Sequence, residues 1–571
     1  MSVGRYLIIN ASEGERCHAI ARIAKAFVSK RARMRAFGSA LVISADLPVA
    51  PSAEQETLTV GHVFPWTDVE RVDEASDFRN WGSYIRLSDG PRGIALTRDP
   101  SGMLPCYVRH CKGVSLAASD AKLLTCTGTA EIDWPCLAGF LATGGVRSYA
   151  TCLAGIFEPI PGTRQQLAAD NAPETLWSPW TFTTAKSRIP SETAAAETLR
   201  RTINQVAEAW AAQFPDVVLG VSGGLDSSIV AAALRRAGAN ITAVTLATRE
   251  PDGDERVYAR ALTDALCIPL VEAFEDPDHV DLEYSAAAHL PRPSTRAFSQ
   301  SSDAIQLAIA SKRRATAFMS GGGGDSVFCA LRSASPLADR ILAKAGLVDL
   351  ARTARDIGSL TGSPLWPVLV RGVRNAWRGA RPLPPRANPF LSWDCRAAVT
   401  ALPLHPWLAP PAGTPPGKAA HIAWILGIFN HLDPVGRTLQ LPGIFPLMAQ
   451  PIVELCLRIP AWMWVSGGRD RAVAREAFRD ILPTVVLERR SKGTPASFVM
   501  TLFETRRSQI REMLCDGLLA HNGLIDRTAV AHYTRDPRPV SDVRYMQIMS
   551  LVDAESWARC WTDQEAPCTP F

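Results

Sequence analysis

A chain of 571 residues, nearly half of them hydrophobic and a fifth charged, has material for more than one packed core. Its formal net charge of +5 is small for that length, and acidic and basic residues are mixed without long runs, so overall charge gives no case for a nucleic-acid partner or a membrane surface. Its 13 cysteines are scattered, with no C-x-x-C pair and no Cys/His group at zinc spacing, so free thiols in a reducing compartment are expected.

The opening MSVGRYLIINASEGERCH has no basic stretch followed by an apolar run, so no signal peptide is read there. No apolar run reaches the length of a membrane span, and a cytoplasmic protein is expected. Residues 1–180 read as short strands (5–10, 40–44, 83–87, 93–98 and 106–109) with turn chemistry at 88–93 and 99–102. Helical periodicity is read at 19–27 and 136–142, giving an α+β domain built on antiparallel sheet. The polar stretch 178–190 reads as a linker. Ser191 then caps a helix whose apolar face holds Ala194, Leu199, Ile203, Val206 and Trp210.

The second domain, 190–571, changes pattern. Apolar strands at 216–221, 241–246 and 315–320 alternate with helices at 226–237, 255–266 and 303–312. Such alternation predicts a parallel α/β sheet covered on both faces. From residue 335 onward the reading is helical and without strands, broken by Pro-rich connections at 381–389 and 408–417.

The densest chemical signal is Ser222-Gly-Gly-Leu-Asp-Ser-Ser228, set between a buried strand and a helix. Gly223 and Gly224 let the backbone approach a ligand without a Cβ in the way. Amides at the helix start suit a phosphate or pyrophosphate group, and Ser222, Ser227 and Ser228 add hydroxyl donors. Asp226 beside phosphates makes sense when Mg²⁺ mediates. The pattern is neither a Walker A loop nor a G-x-G-x-x-G fingerprint. An ordinary serine-capped turn is the plain alternative, but a double Gly, an Asp and three serines directly after a buried strand are hard to reach by chance.

This S-G-G-x-D-S run resembles the PP-loop ATP pyrophosphatases, which cleave ATP between the α and β phosphates. Met319-Ser-Gly-Gly-Gly-Gly-Asp325 resembles the second, Asp-ending loop of asparagine synthetases and β-lactam synthetases. The resemblance implies that Asp226 and Asp325 share one Mg²⁺, with ATP as the cofactor. It implies adenosine contacts at Val221, Leu246, Ser320 and Gly321. Arg489-Arg-Ser-Lys-Gly493 is similar to a family segment whose Lys faces the phosphates, which assigns Lys492 to stabilising charge there. The segment 446–454 is similar to another family stretch, with Ala449 where asparagine synthetases have Asp, and is expected to be structural.

The stretch 94–107 resembles the class II glutamine amidotransferase domain of asparagine synthetase, an N-terminal-nucleophile (Ntn) sandwich. That domain's nucleophile is a Cys exposed once Met is removed. Here Ser2 follows Met1, the nearest Cys is Cys17, and Val60 stands where the family has Asn. A degenerate domain that keeps the fold without producing ammonia is expected. Gly322 replaces the Glu of asparagine synthetases and the Tyr of β-lactam synthetases, and SGGGGDSVFC (320–329) looks instead like the lasso peptide cyclases. That resemblance implies a precursor core peptide as substrate, closed to a macrolactam, with a leader peptidase and a leader-recognition protein as partners. A β-lactam-synthetase-like or ammonia-dependent asparagine-synthetase-like enzyme is the alternative. An inactive precursor-binding scaffold is the alternative of another kind.

Overall fold

The computed structural model describes residues 4–11, 32–51, 56–66, 78–111, 113–168, 172–247, 254–294, 296–381, 388–397, 405–489, 496–540 and 542–562. The helix expected at 19–27, Ser2, Cys17 and Lys492 lie outside them.

Two six-stranded antiparallel sheets form the N-terminal part. One runs, in spatial order, Ile156–Phe157, Tyr107–Cys111, Val114–Ala118, Arg5–Asn10, Ala40–Ala45, Arg33–Phe37. The other runs Glu174–Thr175, Thr163–Gln166, Gly93–Arg98, Asn80–Gly90, Thr57–Pro65, Val49–Pro51. Strand alternation decides what fills the space between them. Tyr6, Ile8 and Val42 from the first sheet meet Leu58, Val60, Ile85, Leu87 and Leu96 from the second in one core. The intervening Leu7 and Ile9 turn the other way, into a cluster shared with helix Trp134–Ala142 and helix Arg544–Thr562. On the far face of the second sheet, the Phe64 ring lies 4.8 Å from Trp210 of helix Glu192–Gln213. The sandwich is therefore clasped by elements from later in the chain.

The stretch 178–190 packs against the C-terminal part: Phe182 and Ile189 are buried, and the Ile189 amide donates to the Arg458 carbonyl at 3.2 Å. Trp177 donates to Glu454 at 2.8 Å and its ring sits against Trp407. The helix after it starts at Glu192, with the Ser191 side chain accepting from the Ala194 amide, a standard N-cap.

A buried ionic cluster ties the two parts together. Glu158 accepts from Arg98 at 2.9 Å, Arg147 at 3.2 Å and Arg292 at 2.5 Å. Arg147 also pairs with Asp433 and donates to Asn430. Burial alone would raise the Glu158 pKa, but Arg292, Arg147 and Arg98 outweigh it and hold the group far below its ordinary value of 4.5. A depressed carboxylate pKa stabilises the fold above pH 4.5, and that contribution is lost as pH falls below it. Glu158→Gln leaves three buried guanidiniums without their shared anion, which costs about 3–5 kcal/mol at pH 7. Urea denaturation checks this, and the gap to the wild type is expected to narrow in acid.

The C-terminal part is built on a five-stranded parallel sheet in the order Leu270–Phe274, Asn240–Ala247, Asp216–Gly220, Ala317–Ser320, Gly443–Ile444. The apolar DVVLG strand lies at its centre, as expected for a sheet covered on both faces. Two of these strands depart from the sequence reading. Leu270–Phe274 forms one edge, and Gly443–Ile444 adds a short strand at the other, in a region read as wholly helical. Otherwise residues from 335 onward are chiefly helices. No helix among the described residues is long and apolar enough to cross a membrane.

Candidate active site

Two glycine loops leave the carboxyl ends of adjacent strands, where open α/β sheets bind ligands. Gly220 and Ser320 are register partners in the parallel pair that carries them. The first loop runs into helix Leu225–Arg236 and the second into the short helix Gly324–Val327.

The glycines are there because the loops interlock. Gly223 has φ +60, and a Cβ on it would sit 2.2 Å from the Cβ of Tyr258. A Cβ on Gly321 would lie 2.4 Å from the Ser227 amide nitrogen, and one on Gly324 2.5 Å from Asp226 Cβ and Cγ. A Cβ on Gly322 would meet the Phe445 ring at 2.7 Å, so an aromatic from the edge of the sheet fills the space a side chain would take. Gly321→Ala must push the two loops apart. Its nucleotide affinity is expected to fall roughly tenfold or more, since close packing at this point admits no extra methyl group; a calorimetric titration with ATP checks this.

Val221 is buried, and its amide donates to Val244 at 2.8 Å, which locks the first loop to the sheet. Leu246, on that neighbouring strand, is half-buried. Ser222 Oγ accepts from the Gly224 amide at 3.3 Å, and Ser227 Oγ donates to the Gly224 carbonyl at 3.1 Å. Ser320 Oγ accepts from the Gly322 amide in the second loop. These hydroxyls shape the loops from within. Ser228 is fully buried, and its hydroxyl donates to the same Gly224 carbonyl at 2.8 Å.

Asp226 and Asp325 converge on a single nitrogen. Arg471 Nη1 donates to Asp226 Oδ1 at 3.0 Å and Oδ2 at 2.9 Å, and to Asp325 Oδ1 at 2.5 Å. Arg471 holds this position from a left-handed backbone conformation, φ +53, which is uncommon for a residue with a Cβ. Its Nη2 donates to Asp470, which also accepts from Arg475 at 2.6 Å. Burial opposes the charge on Arg471, but Asp226, Asp325 and Asp470 outweigh it and raise its pKa. Sequence reasoning missed Arg471, which reads as one more basic residue in a turn.

Two carboxylates meeting on one cation form a hard, all-oxygen donor set that fits Mg²⁺. Among the described residues no group of three or more His, Cys, Asp or Glu is placed to hold a metal. Asp226 and Asp325 would therefore hold the ion together with oxygens from nucleotide and water, the usual arrangement for Mg²⁺ at phosphate sites.

Arg489, three residues before Lys492, donates to the Ser222 carbonyl at 2.8 Å and to Glu255 at 2.7 Å. Its guanidinium lies 4.1 Å from the centre of the Tyr258 ring. The chain entering the Lys492 segment is thereby fastened to the first loop. A cavity of about 430 Å³ opens beside this cluster, with Arg332, Arg469, Arg475 and Arg489 in its walls against Asp470 and Glu488. The excess of guanidinium suits an anionic ligand. The segment 446–454 supports the site from below. A Cβ on Gly323 would touch Met448, and Glu454 is satisfied by Trp177 and Gln450.

Comparison with known proteins gives one family match. No curated protein matches the chain. Among solved structures, an NMN synthetase from Francisella tularensis matches at 16% identity and a TM-score of 0.18 over 24% of this chain. The chain spans 58% of that protein's length, and a likeness of that size says nothing of function. The family model "Asparagine synthase" matches residues 198–382 and 429–559, more than half of the chain, and includes both glycine loops, Arg471 and Lys492. The chain belongs to the asparagine synthase family, whose members form amides at the expense of ATP.

Proposed function

We propose that the protein is an ATP-dependent amide-forming ligase that acts as a lasso peptide cyclase. The observation that carries the ligase reading is the convergence of Asp226 and Asp325, from separate glycine loops, on one cation. The peptide specificity rests on the resemblance of residues 320–329 and on Gly322, whose missing side chain is replaced by Phe445.

The chemistry runs in two steps. An Asp or Glu side-chain oxygen of the core peptide attacks the α phosphorus of ATP; the bond to the bridging oxygen breaks and pyrophosphate leaves. The peptide's N-terminal amine then attacks the acyl carbon, the bond to AMP breaks, and the nitrogen gives up a proton. The peptide loses one water overall and gains an isopeptide bond. AMP is a far better leaving group than hydroxide, and holding both ends of one peptide makes ring closure effectively unimolecular.

The amides of Gly223 and Gly224 and the hydroxyls of Ser222 and Ser227 cradle the departing pyrophosphate. Val221, Leu246, Ser320 and Gly321 flank the adenosine. Lys492 meets charge building on the phosphate side. Mg²⁺ held by Asp226 and Asp325 would neutralise the phosphate oxygens. The arginine-walled cavity takes the acidic end of the reaction, either triphosphate or the carboxyl side chain. The N-terminal sandwich is read as a glutaminase-like domain that no longer produces ammonia, with its boundary near residue 180.

The test is incubation with a leaderless core peptide that carries a free N-terminal amine and an Asp or Glu side chain within reach of it, together with ATP and Mg²⁺. Loss of one water from the peptide, with AMP and pyrophosphate formed, is expected. ATP–pyrophosphate exchange driven by a free amino acid and not by the peptide would favour the small-molecule synthetases. Peptide binding with no AMP under any condition would leave only the scaffold.

A further inference from the structure

Helix Leu365–Arg378 is strongly two-sided in a way that packing among the described residues does not use. Its inner face is narrow: Val368 and Gly372 are buried, with Gly372 pressed so closely on Leu337 that a Cβ would lie 2.5 Å from it. Outside, Trp366 is 74% exposed, Val373 59% and Trp377 85%, and Val370 and Leu365 are exposed as well. At 3.6 residues per turn Trp366, Val370, Val373 and Trp377 fall within about 60° of arc, one continuous apolar stripe with a tryptophan at each end. Arg371, Arg374 and Arg378 occupy the neighbouring arc of about the same width. All three are exposed, Arg381 follows at once, and 365–381 contains no Asp or Glu. Leu347 and Val348, at the start of the preceding helix Leu347–Thr361, are exposed too.

Apolar side chains left this open cost free energy in water unless something covers them. The pattern beside them says what. A tryptophan-flanked stripe next to a purely basic stripe, on a helix lying on the protein surface, matches a membrane interface, where rings enter the headgroup–acyl boundary and guanidiniums meet phosphate. Three arginines with no acidic residue among them suit a sheet of anionic headgroups, which offers charge everywhere. We propose that this helix docks the enzyme on an anionic lipid surface. The small overall charge of +5 conceals it, because the local excess is compensated elsewhere in the chain.

Co-sedimentation of the full chain with vesicles tests the proposal. One set is phosphatidylcholine alone; in the other about a third of the lipid is phosphatidylglycerol. The wild type is expected to sediment with the anionic vesicles roughly tenfold more strongly than with the neutral ones. Trp366→Glu/Trp377→Glu should abolish the binding, and each of Arg371→Glu, Arg374→Glu and Arg378→Glu should weaken it about fivefold or more. All these residues are exposed, so circular dichroism and thermal unfolding should be unchanged. Equal sedimentation with both vesicle types, none with either, or a tryptophan variant that binds like wild type overturns the proposal. A concentration-dependent dimer that the tryptophan variant loses, with no vesicle binding, would assign the stripe to a second copy instead.

Discussion

Asp226→Asn is expected to abolish ATP–pyrophosphate exchange, lowering the rate about a thousandfold or more. The substitution keeps the shape of the side chain and removes its charge. Shape matters here, since Asp226 stands at the first turn of its helix with Gly324 packed against its Cβ. Charge matters more. The carboxylate meets the same cation as Asp325, and a nucleotide phosphate can approach two acidic groups only when a positive centre lies between them. With Asn in place a Mg²⁺ ion held by the two aspartates would lose half of its protein ligands. Asp325 and Asp470 still pair with Arg471, so the fold should survive and the midpoint of urea unfolding should move little. Exchange at wild-type rate in a folded Asp226→Asn protein would remove the cation-sharing role, and with it the physical basis of the proposed chemistry.

Much of this site was legible in the sequence because its parts are local. A buried strand, a glycine turn and a helix start occupy a dozen consecutive residues, and their chemistry follows from residue type. The loop carrying Asp325 is of the same kind. What was not legible depends on distance along the chain. Arg471 lies 245 residues from Asp226, and nothing near it distinguishes it from the other basic residues of its turn. The edge strand Leu270–Phe274 was missed for a different reason. It is half-buried, carries Glu272 facing Arg260, and lacks both the apolar run of a central strand and clean alternation. Gly443–Ile444 is too short for any period to show. The surface stripe on helix Leu365–Arg378 was hidden by averaging. Whole-chain charge and hydropathy register neither the tryptophans nor the arginines as a face.

Arg471→Met is expected to destabilise the nucleotide-free protein by about 3 kcal/mol, and Mg²⁺ is expected to restore most of the loss. Both halves follow from one geometry. A guanidinium stands between Asp226 and Asp325, nine-tenths buried with respect to its side chain. Replacing it with an apolar side chain of similar length keeps the packing and removes the positive charge between two carboxylates, the costly way to break a buried ion pair. A divalent cation can then enter without first displacing a side chain, so the variant gains more from the ion than the wild type does. Urea unfolding of both proteins, with and without millimolar Mg²⁺, measures the two effects in one experiment and needs no turnover. If the variant is as stable as the wild type, the arginine is not balancing the carboxylates. If it is less stable but indifferent to Mg²⁺, the two aspartates do not form a cation site. The combination of instability and rescue is specific to a position that one charged group holds until another takes it, and it would make Arg471 the residue that keeps the site assembled between turnovers.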